Sequence, residues 1–275
     1  MKKTIKFTKM EGAGNSFIII EPVKDLNLKT FTQKVCDQST GIGADGVLVC
    51  EKSKKADFGM RIINADGSEA EMCGNGARCL AVYIRQTRDP KKIQFTLETL
   101  AGQIMCEAKG EVANVRLSAP SGYLPDVPIK VNSKTMKVNF LNTGVPHVIV
   151  FVHDLDQINV AEIGKAIRNH VQFKPKGTNV NFVEQVDGTL VRNRTYERGV
   201  EAETNACGTG SVASAIVTYL KTHPYIMDKK AALMKVQTRN GDILEVRFDI
   251  NNGVINNVWL KGNTKFIAQG EYYYV

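Results

Sequence analysis

The chain has 275 residues, 43% of them hydrophobic and 23% charged, with a formal net charge of +8. That length and balance describe one large or two ordinary globular domains and exclude disorder, collagen and coiled coil. The longest apolar runs, residues 17–20 and 148–152, fall far short of the ~20 residues that span a bilayer. Met1-Lys2-Lys3 is followed by Thr4, Lys6, Thr8 and Lys9 with no apolar stretch of a secretory signal, so the chain reads as cytoplasmic, with no membrane partner.

In chain order, the alternating and β-branched segments 6–8, 17–20, 47–50 and 61–64 predict strands. After Cys73, Ala77, Leu80, Ala81 and Ile84 recur at helical spacing until Arg88-Asp89-Pro90 stops them, and a hairpin turns at Ala101-Gly102. Strands are predicted again at 148–152 and 180–183. A second helix follows Cys207, with Val212, Ala215, Ile216 and Tyr219 in register up to His223-Pro224, and a second hairpin turns at Asn240-Gly241. Both helices are apolar over more than one face, which predicts central helices wrapped by strands. The tail, 265–275, alternates aromatic residues and reads as a strand returning to the first half.

This order repeats. Cys73-Gly74-Asn75-Gly76 and Cys207-Gly208-Thr209-Gly210 lie 207 − 73 = 134 residues apart, and the same offset relates the segment from Gly43 to the segment from Gly177. Asn114-Val115-Arg116-Leu117 matches Asn257-Val258-Trp259-Leu260 at the slightly larger offset of 143. Similarity that keeps its order while the offset drifts is the mark of a duplicated unit with small loop insertions. Each half is therefore expected to hold β-rich segments, one helix and a hairpin, and the tail has no counterpart between the halves.

The positive charge lies in short scattered groups such as Lys54-Lys55, Lys91-Lys92 and Lys229-Lys230, with acids between them and no interleaved aromatics. That is a solvated surface rather than a nucleic-acid stripe. Six cysteines without a secretory signal or a C-x-x-C pair do not form a disulfide framework, and His147, His153, His170 and His223 have no metal-ligand spacing. Cys36, Cys50, Cys79 and Cys106 read as small buried hydrophobes. Cys73 and Cys207 differ, because each precedes Gly-x-Gly and the start of a buried helix. Unpaired N–H groups and the positive end of the dipole there attract an anion and favour thiolate over thiol. Two readings stand at this point: structural caps, or a catalytic pair whose helix starts converge on one substrate carboxylate with a sulfur on each face of the adjacent carbon. The second is the geometry of a two-base racemase, in which one thiolate removes the α-proton and the opposite thiol returns one.

The segments Lys9-Met10-Glu11-Gly12-Ala13-Gly14-Asn15-Ser16-Phe17, Gly41-Ile42-Gly43-Ala44-Asp45-Gly46, the run 64–79, Gly144-Val145-Pro146-His147, Gly177-Thr178-Asn179-Val180-Asn181-Phe182, and Glu197-Arg198-Gly199 through Cys207-Gly208-Thr209-Gly210 resemble the diaminopimelate epimerase family over nearly the whole chain. The resemblance implies an α/β (α+β) fold of two pseudo-symmetric domains, each a curled, mostly antiparallel sheet or barrel around a central helix. One domain would comprise residues 1–118 with 264–275 and carry Cys73; the other would comprise 119–263 and carry Cys207. It implies an isomerase interconverting LL- and meso-2,6-diaminopimelate, on the route to lysine and peptidoglycan, without cofactor or metal. A related racemase for another amino acid is the alternative. The implied partner is the small-molecule substrate, and a homodimer is compatible with the sequence.

Carried over position by position, the resemblance makes Cys73 and Cys207 the acid/base pair, assisted by His147 and Glu197. Gly74, Asn75, Gly208 and Thr209 would hold the reacting carboxylate, while Asn15, Asn64, Asn179, Glu197 and Arg198 would recognise the distal amino acid end. Against these roles, the asparagines also suit turns, Glu197 and Arg198 a surface pair, and His147 a satisfied half-buried histidine. Val145, Gly46 and Ser16 depart from the commonest family residues (asparagine, glutamine in some members, and aspartate, respectively), and the loop from Arg198 to Cys207 is one residue longer. These departures bear on substrate contacts rather than thiol chemistry.

Overall fold

A computed structural model describes residues 3–274; Met1 and Lys2 of the basic start and Val275 of the expected tail strand lie outside the described residues. The chain divides into two compact units, Met1–Arg116 with Lys261–Val275, and Leu117–Leu260.

The first unit contains β1 (Lys3–Gly12), β2 (Asn15–Ile20), α1 (Leu28–Cys36), β3 (Gly46–Glu51), β4 (Phe58–Asn64), β5 (Glu69–Ala70), α2 (Gly74–Thr87), β6 (Gln94–Thr99), β7 (Gly102–Lys109) and β8 (Val112–Arg116). The second follows with β9 (Ser121–Val131), β10 (Lys134–Asn142), β11 (Pro146–Phe151), α3 (Val160–Arg168), β12 (Asn179–Gln185), β13 (Leu190–Glu197), β14 (Ala202–Thr204), α4 (Gly208–Thr222), β15 (Lys229–Gln237), β16 (Ile243–Asn251) and β17 (Val254–Asn263); β18 (Lys265–Tyr274) closes the chain.

The strand pairings of the two units match one for one. In the first, β1–β2 is antiparallel, β2–β3 parallel, β3–β4 and β4–β5 antiparallel, β4–β6 parallel and β6–β7 antiparallel. In the second, β10–β11, β11–β12, β12–β13, β13–β14, β13–β15 and β15–β16 repeat that series in the same senses. The expected tail strand is present: β18 runs antiparallel to β1, as β9 runs antiparallel to β10. The tail therefore does have a counterpart, contrary to the sequence reading. β9 enters its unit first and β18 enters its unit last, so a search that preserves chain order cannot align them. Their packing agrees, because Tyr272 and Tyr274 of β18 pack on the first core as Ile129 and Val131 of β9 enter the second.

Each unit also holds a second helix that the sequence reading omitted. Asn27 caps α1 by accepting from the Thr30 N–H, and Asn159 caps α3 by accepting from that of Glu162. These helices are nine residues long and bury single apolar stripes, Phe31 and Val35 in one, Val160 and Ile167 in the other. The stripes lie on the sheet cores formed by Ile18, Val47, Val49 and Ile63 in one unit and by Val148, Val150, Val180 and Phe182 in the other.

The longer helices occupy the other position. In α2 the buried residues run from Gly74 through Val82 without a break, and in α4 from Gly210 through Tyr219. A helix buried on every side is the interior element of its unit, and its start is held by the strands around it.

Candidate active site

Cys73 and Cys207 are the N-caps of α2 and α4, both with extended backbone. At each, the first-turn N–H groups have no helical acceptor and point beyond the helix start. The Gly-x-Gly that follows lets neighbouring elements pack against that turn. A Cβ on Gly76 would lie 3.1 Å from Leu48 Cδ2, and one on Gly210 would lie 2.3 Å from Asn181 Oδ1.

Around Cys73 the first unit assembles a polar cluster. The Cys73 sulfur accepts from the Gly76 N–H at 3.4 Å. Asn75, buried in the first turn, donates its amide to Asn15 Oδ1 at 2.5 Å and accepts from Arg78 Nη2 at 2.9 Å. Arg78 is itself fully buried and also reaches the Gly74 carbonyl at 3.4 Å. Arginine only donates, so Asn75 turns its oxygen to Arg78 and its nitrogen to Asn15, and Asn15 turns its own oxygen inward. The nitrogen of Asn15 thereby becomes its outward group. The hairpin carrying Asn15 turns through Ala13 and Gly14, both at positive φ (53° and 85°), and presses Gly12 against α2, where a Cβ would meet Cys79 Sγ at 3.0 Å. Asn64 ends β4, two strands away, opposite Gly46, with an exposed side chain that donates to Ser68 Oγ at 3.1 Å.

The surroundings of two of the departures are defined here. Ser16 donates its backbone N–H to Asp45 Oδ2 at 2.7 Å, so Asp45 puts a carboxylate beside that position. A Cβ at Gly46 would stand 2.7 Å from the Ile63 carbonyl, which favours glycine there.

In the second unit the Cys207 sulfur lies 3.5 Å from Thr209 Oγ1. His147, fully buried in β11, sits behind Thr209 with Nε2 3.0 Å from the same hydroxyl oxygen. Burial, with the nearby Arg198 charge second, pushes the His147 pKa down to about 3, so the imidazole is neutral at physiological pH. Asn179 pairs with His147 across β11–β12; its Oδ1 accepts from the Arg198 N–H at 2.8 Å and its Nδ2 reaches the Pro146 carbonyl at 3.4 Å. Arg198 extends its guanidinium to the Lys176 carbonyl at 3.2 Å, while Glu197 ends β13 half-buried. The longer loop that follows is pinned: Arg168 pairs with Glu201 at 3.0 Å, and the Glu201 carbonyl accepts from Tyr196 Oη at 2.9 Å.

Ten of the twelve expected residues fall into two clusters, Cys73, Gly74, Asn75 and Asn15 in one unit and Cys207, Gly208, Thr209, His147, Asn179 and Arg198 in the other, while Asn64 stands exposed at the end of β4 and Glu197 ends β13. Sequence reasoning missed the residues behind the clusters, Arg78, Asn181, Thr195 and Thr143. Arg78 and Asn181 had a signal, a polar or charged residue among buried apolar neighbours of one element, whereas Thr195 in the polar-rich β13 and Thr143 in the loop between β10 and β11 had none. The other four cysteines are buried, and desolvation raises the thiol pKa of each, to about 12 for Cys36 and Cys50. They are inert packing groups. Among the described residues no cluster of three or more His, Cys, Asp or Glu is arranged to hold a metal, and no helix is long and apolar enough to cross a membrane.

The fold is shared along its full length with solved structures. A Bacillus anthracis phenazine biosynthesis protein of the PhzF family superposes with a TM-score of 0.75 at 17% identity, covering 98% of this chain and 99% of that one. A hydroxyproline epimerase from Agrobacterium vitis, solved with trans-4-hydroxy-L-proline bound, superposes at 0.74 with 14% identity, covering 99% and 94%. The class is therefore a duplicated α+β fold with a buried helix at the centre of each repeat. Within it, the sequence profile described as Diaminopimelate epimerase matches residues 7–120 and 139–258. The chain is 39% identical over 287 aligned positions to the diaminopimelate epimerase of Aquifex aeolicus, spanning 97% of each, and 40% identical over 280 to that of a Hydrogenobaculum species, spanning 96% of each. The chain belongs to the diaminopimelate epimerase family.

Proposed function

We propose that this protein interconverts LL- and meso-2,6-diaminopimelate by proton transfer at one α-carbon, with Cys73 and Cys207 as the two bases. The observation that carries the reading is the pair of cysteines, each capping a buried helix and each followed by Gly-x-Gly, at equivalent places in two units of identical strand pairing. In this reading the first-turn N–H groups at Gly74, Asn75, Gly208 and Thr209 bind the reacting carboxylate and take up charge as the α-carbon loses its proton. One sulfur, as thiolate, accepts the α-proton while the C–H electrons pass into the carboxylate-stabilised carbanion. The opposite thiol gives its proton to the other face, and the two sulfurs end with their protonation states exchanged.

The outward amide of Asn15, the Asn64 and Asn179 side chains and the Arg198 guanidinium suit the distal carboxylate, and Glu197 suits the distal ammonium. His147 lies behind Thr209, and its support of the reaction passes through that hydroxyl. The reaction belongs in the cytoplasm, where thiols stay reduced.

The test is turnover of purified protein with LL-diaminopimelate and no added cofactor, with lysine and glutamate in parallel. Formation of the meso isomer at a rate far above that for the other two supports the reading. Faster racemisation of lysine or glutamate would overturn the substrate assignment.

A further inference from the structure

The start of α4 is backed by a chain of buried polar groups that reaches deeper than the proposed proton transfer requires. Asn181, at the centre of β12, is fully buried. Its Nδ2 lies 3.1 Å from the Val148 carbonyl, a group that can only accept, and Thr195 Oγ1 donates to its Oδ1 at 2.9 Å. Both contacts place nitrogen and oxygen of this amide the same way round. The same Nδ2 lies 3.1 Å from His147 Nδ1. A ring nitrogen facing an amide donor is the unprotonated one, and the single proton of neutral His147 therefore sits on Nε2, 3.0 Å from Thr209 Oγ1. With its oxygen accepting from His147, the Thr209 hydroxyl has its own hydrogen to offer to Cys207 Sγ at 3.5 Å. Thr143 holds Thr209 in place by donating to its carbonyl at 3.0 Å.

At the repeat offset, the place of Asn181 in the first unit is taken by Val47, a buried apolar residue of β3.

We propose that Asn181 is a positioning residue that fixes His147 as its Nε2–H tautomer and so aims the Thr209 hydroxyl at the Cys207 sulfur. Hydrogen bonds linked in this direction polarise one another toward the terminal acceptor, and negative charge on the sulfur is the state they stabilise. The inference deepens the two-base reading and rests on it for its biological meaning. It assigns the Cys207 sulfur a side-chain relay through Thr209 and His147.

Two measurements test it without relying on turnover. The first is the imidazole nitrogen spectrum of the ¹⁵N-labelled full-length protein: wild type shows His147 with its proton on Nε2, and Asn181→Asp, which presents an acceptor to the ring, moves that proton to Nδ1. The second is the rate at which iodoacetamide alkylates Cys207 at one fixed pH, followed by peptide mass spectrometry in a Cys73→Ala background. One hydrogen bond lost from the thiolate corresponds to a fall of about fivefold, expected for Asn181→Asp and Thr209→Val, with Thr209→Ser within about twofold of its parent because its hydroxyl remains. A proton on Nδ1 in the wild type overturns the proposal, as does equal alkylation of the parent and the Thr209→Val variant. Because the wild-type spectrum and the Thr209 pair suffice, a failure of Asn181→Asp to fold leaves the test intact. A protein that failed to turn over diaminopimelate would refute the substrate reading and leave these readouts standing.

Discussion

The third residue after each cysteine cap is a glycine, yet replacing the two by alanine is expected to have opposite outcomes. In a helix, Gly→Ala gains about 1 kcal/mol of propensity. At Gly76 the new methyl would stand 3.1 Å from Leu48 Cδ2, a side-chain tip that a small rotation moves aside, so the gain and the crowding roughly cancel. At Gly210 it would stand 2.3 Å from Asn181 Oδ1, and 3.2 Å from Cys207 Cβ. Relief there requires Asn181 to retreat by about an ångström to reach ordinary contact. Asn181 is held by Val148, His147 and Thr195. Each buried group left unpaired costs about 1–3 kcal/mol, and two such losses less the helix gain leave a net cost of about 1–5 kcal/mol. At roughly 2–4 °C per kcal/mol for chains of this size, Gly210→Ala should lower Tm by about 2–20 °C, centred near 10 °C, and reduce epimerase activity through displacement of the relay, while Gly76→Ala moves Tm by about 2 °C at most. Differential scanning calorimetry on the two variants and wild type measures the contrast. A Gly210→Ala protein at least as stable as Gly76→Ala would refute the account of how Asn181 packs against α4.

Two further outcomes follow from the electrostatics. His147 titrates near 6.5 when unfolded and near 3 when folded, so between these values the unfolded chain binds the extra proton. Stability therefore falls as pH drops through that window, by roughly 1 kcal/mol per pH unit; urea unfolding between pH about 6.5 and about 5 should show this slope in wild type and lose it in His147→Gln, and equal slopes would contradict it. Arg194 holds Glu203 through two bonds, at 2.7 and 2.9 Å, both side chains less than one-fifth exposed, and its Nη1 also reaches the Leu155 carbonyl at 2.9 Å. Glu203→Gln removes the charge from a geometry built for it and should cost about 1.5–3 kcal/mol in urea unfolding; no change in midpoint would show the pair to be idle.

The two cysteine-capped helices were legible because their apolar spacing continues over whole helices and ends at a proline, and because the repeat places them at one offset. The equivalence of β18 and β9 was not, since the chain supplies the same structural position at opposite ends of the two units. α1 and α3 are short, and single stripes such as Phe31 and Val35 are easily lost among strands; the asparagine caps at Asn27 and Asn159 were the available signal. Asn181 escaped because an asparagine two residues after Asn179 looks like the solvent face of an alternating strand. β12 is buried on both faces from Asn179 to Val183, and there a polar side chain must be paired. His147 was expected to assist the reaction. Its complete burial turns that expectation toward a supporting place behind Thr209, which no spacing in the sequence encodes.

The claim that Cys73 and Cys207 form a two-base pair is tested most directly by deuterium incorporation from D₂O into diaminopimelate, with purified protein and no added cofactor, in wild type, Cys73→Ala and Cys207→Ala. The account predicts deuterium at one α-carbon with wild type and loss of epimerisation in both variants. Full activity in either variant would contradict it.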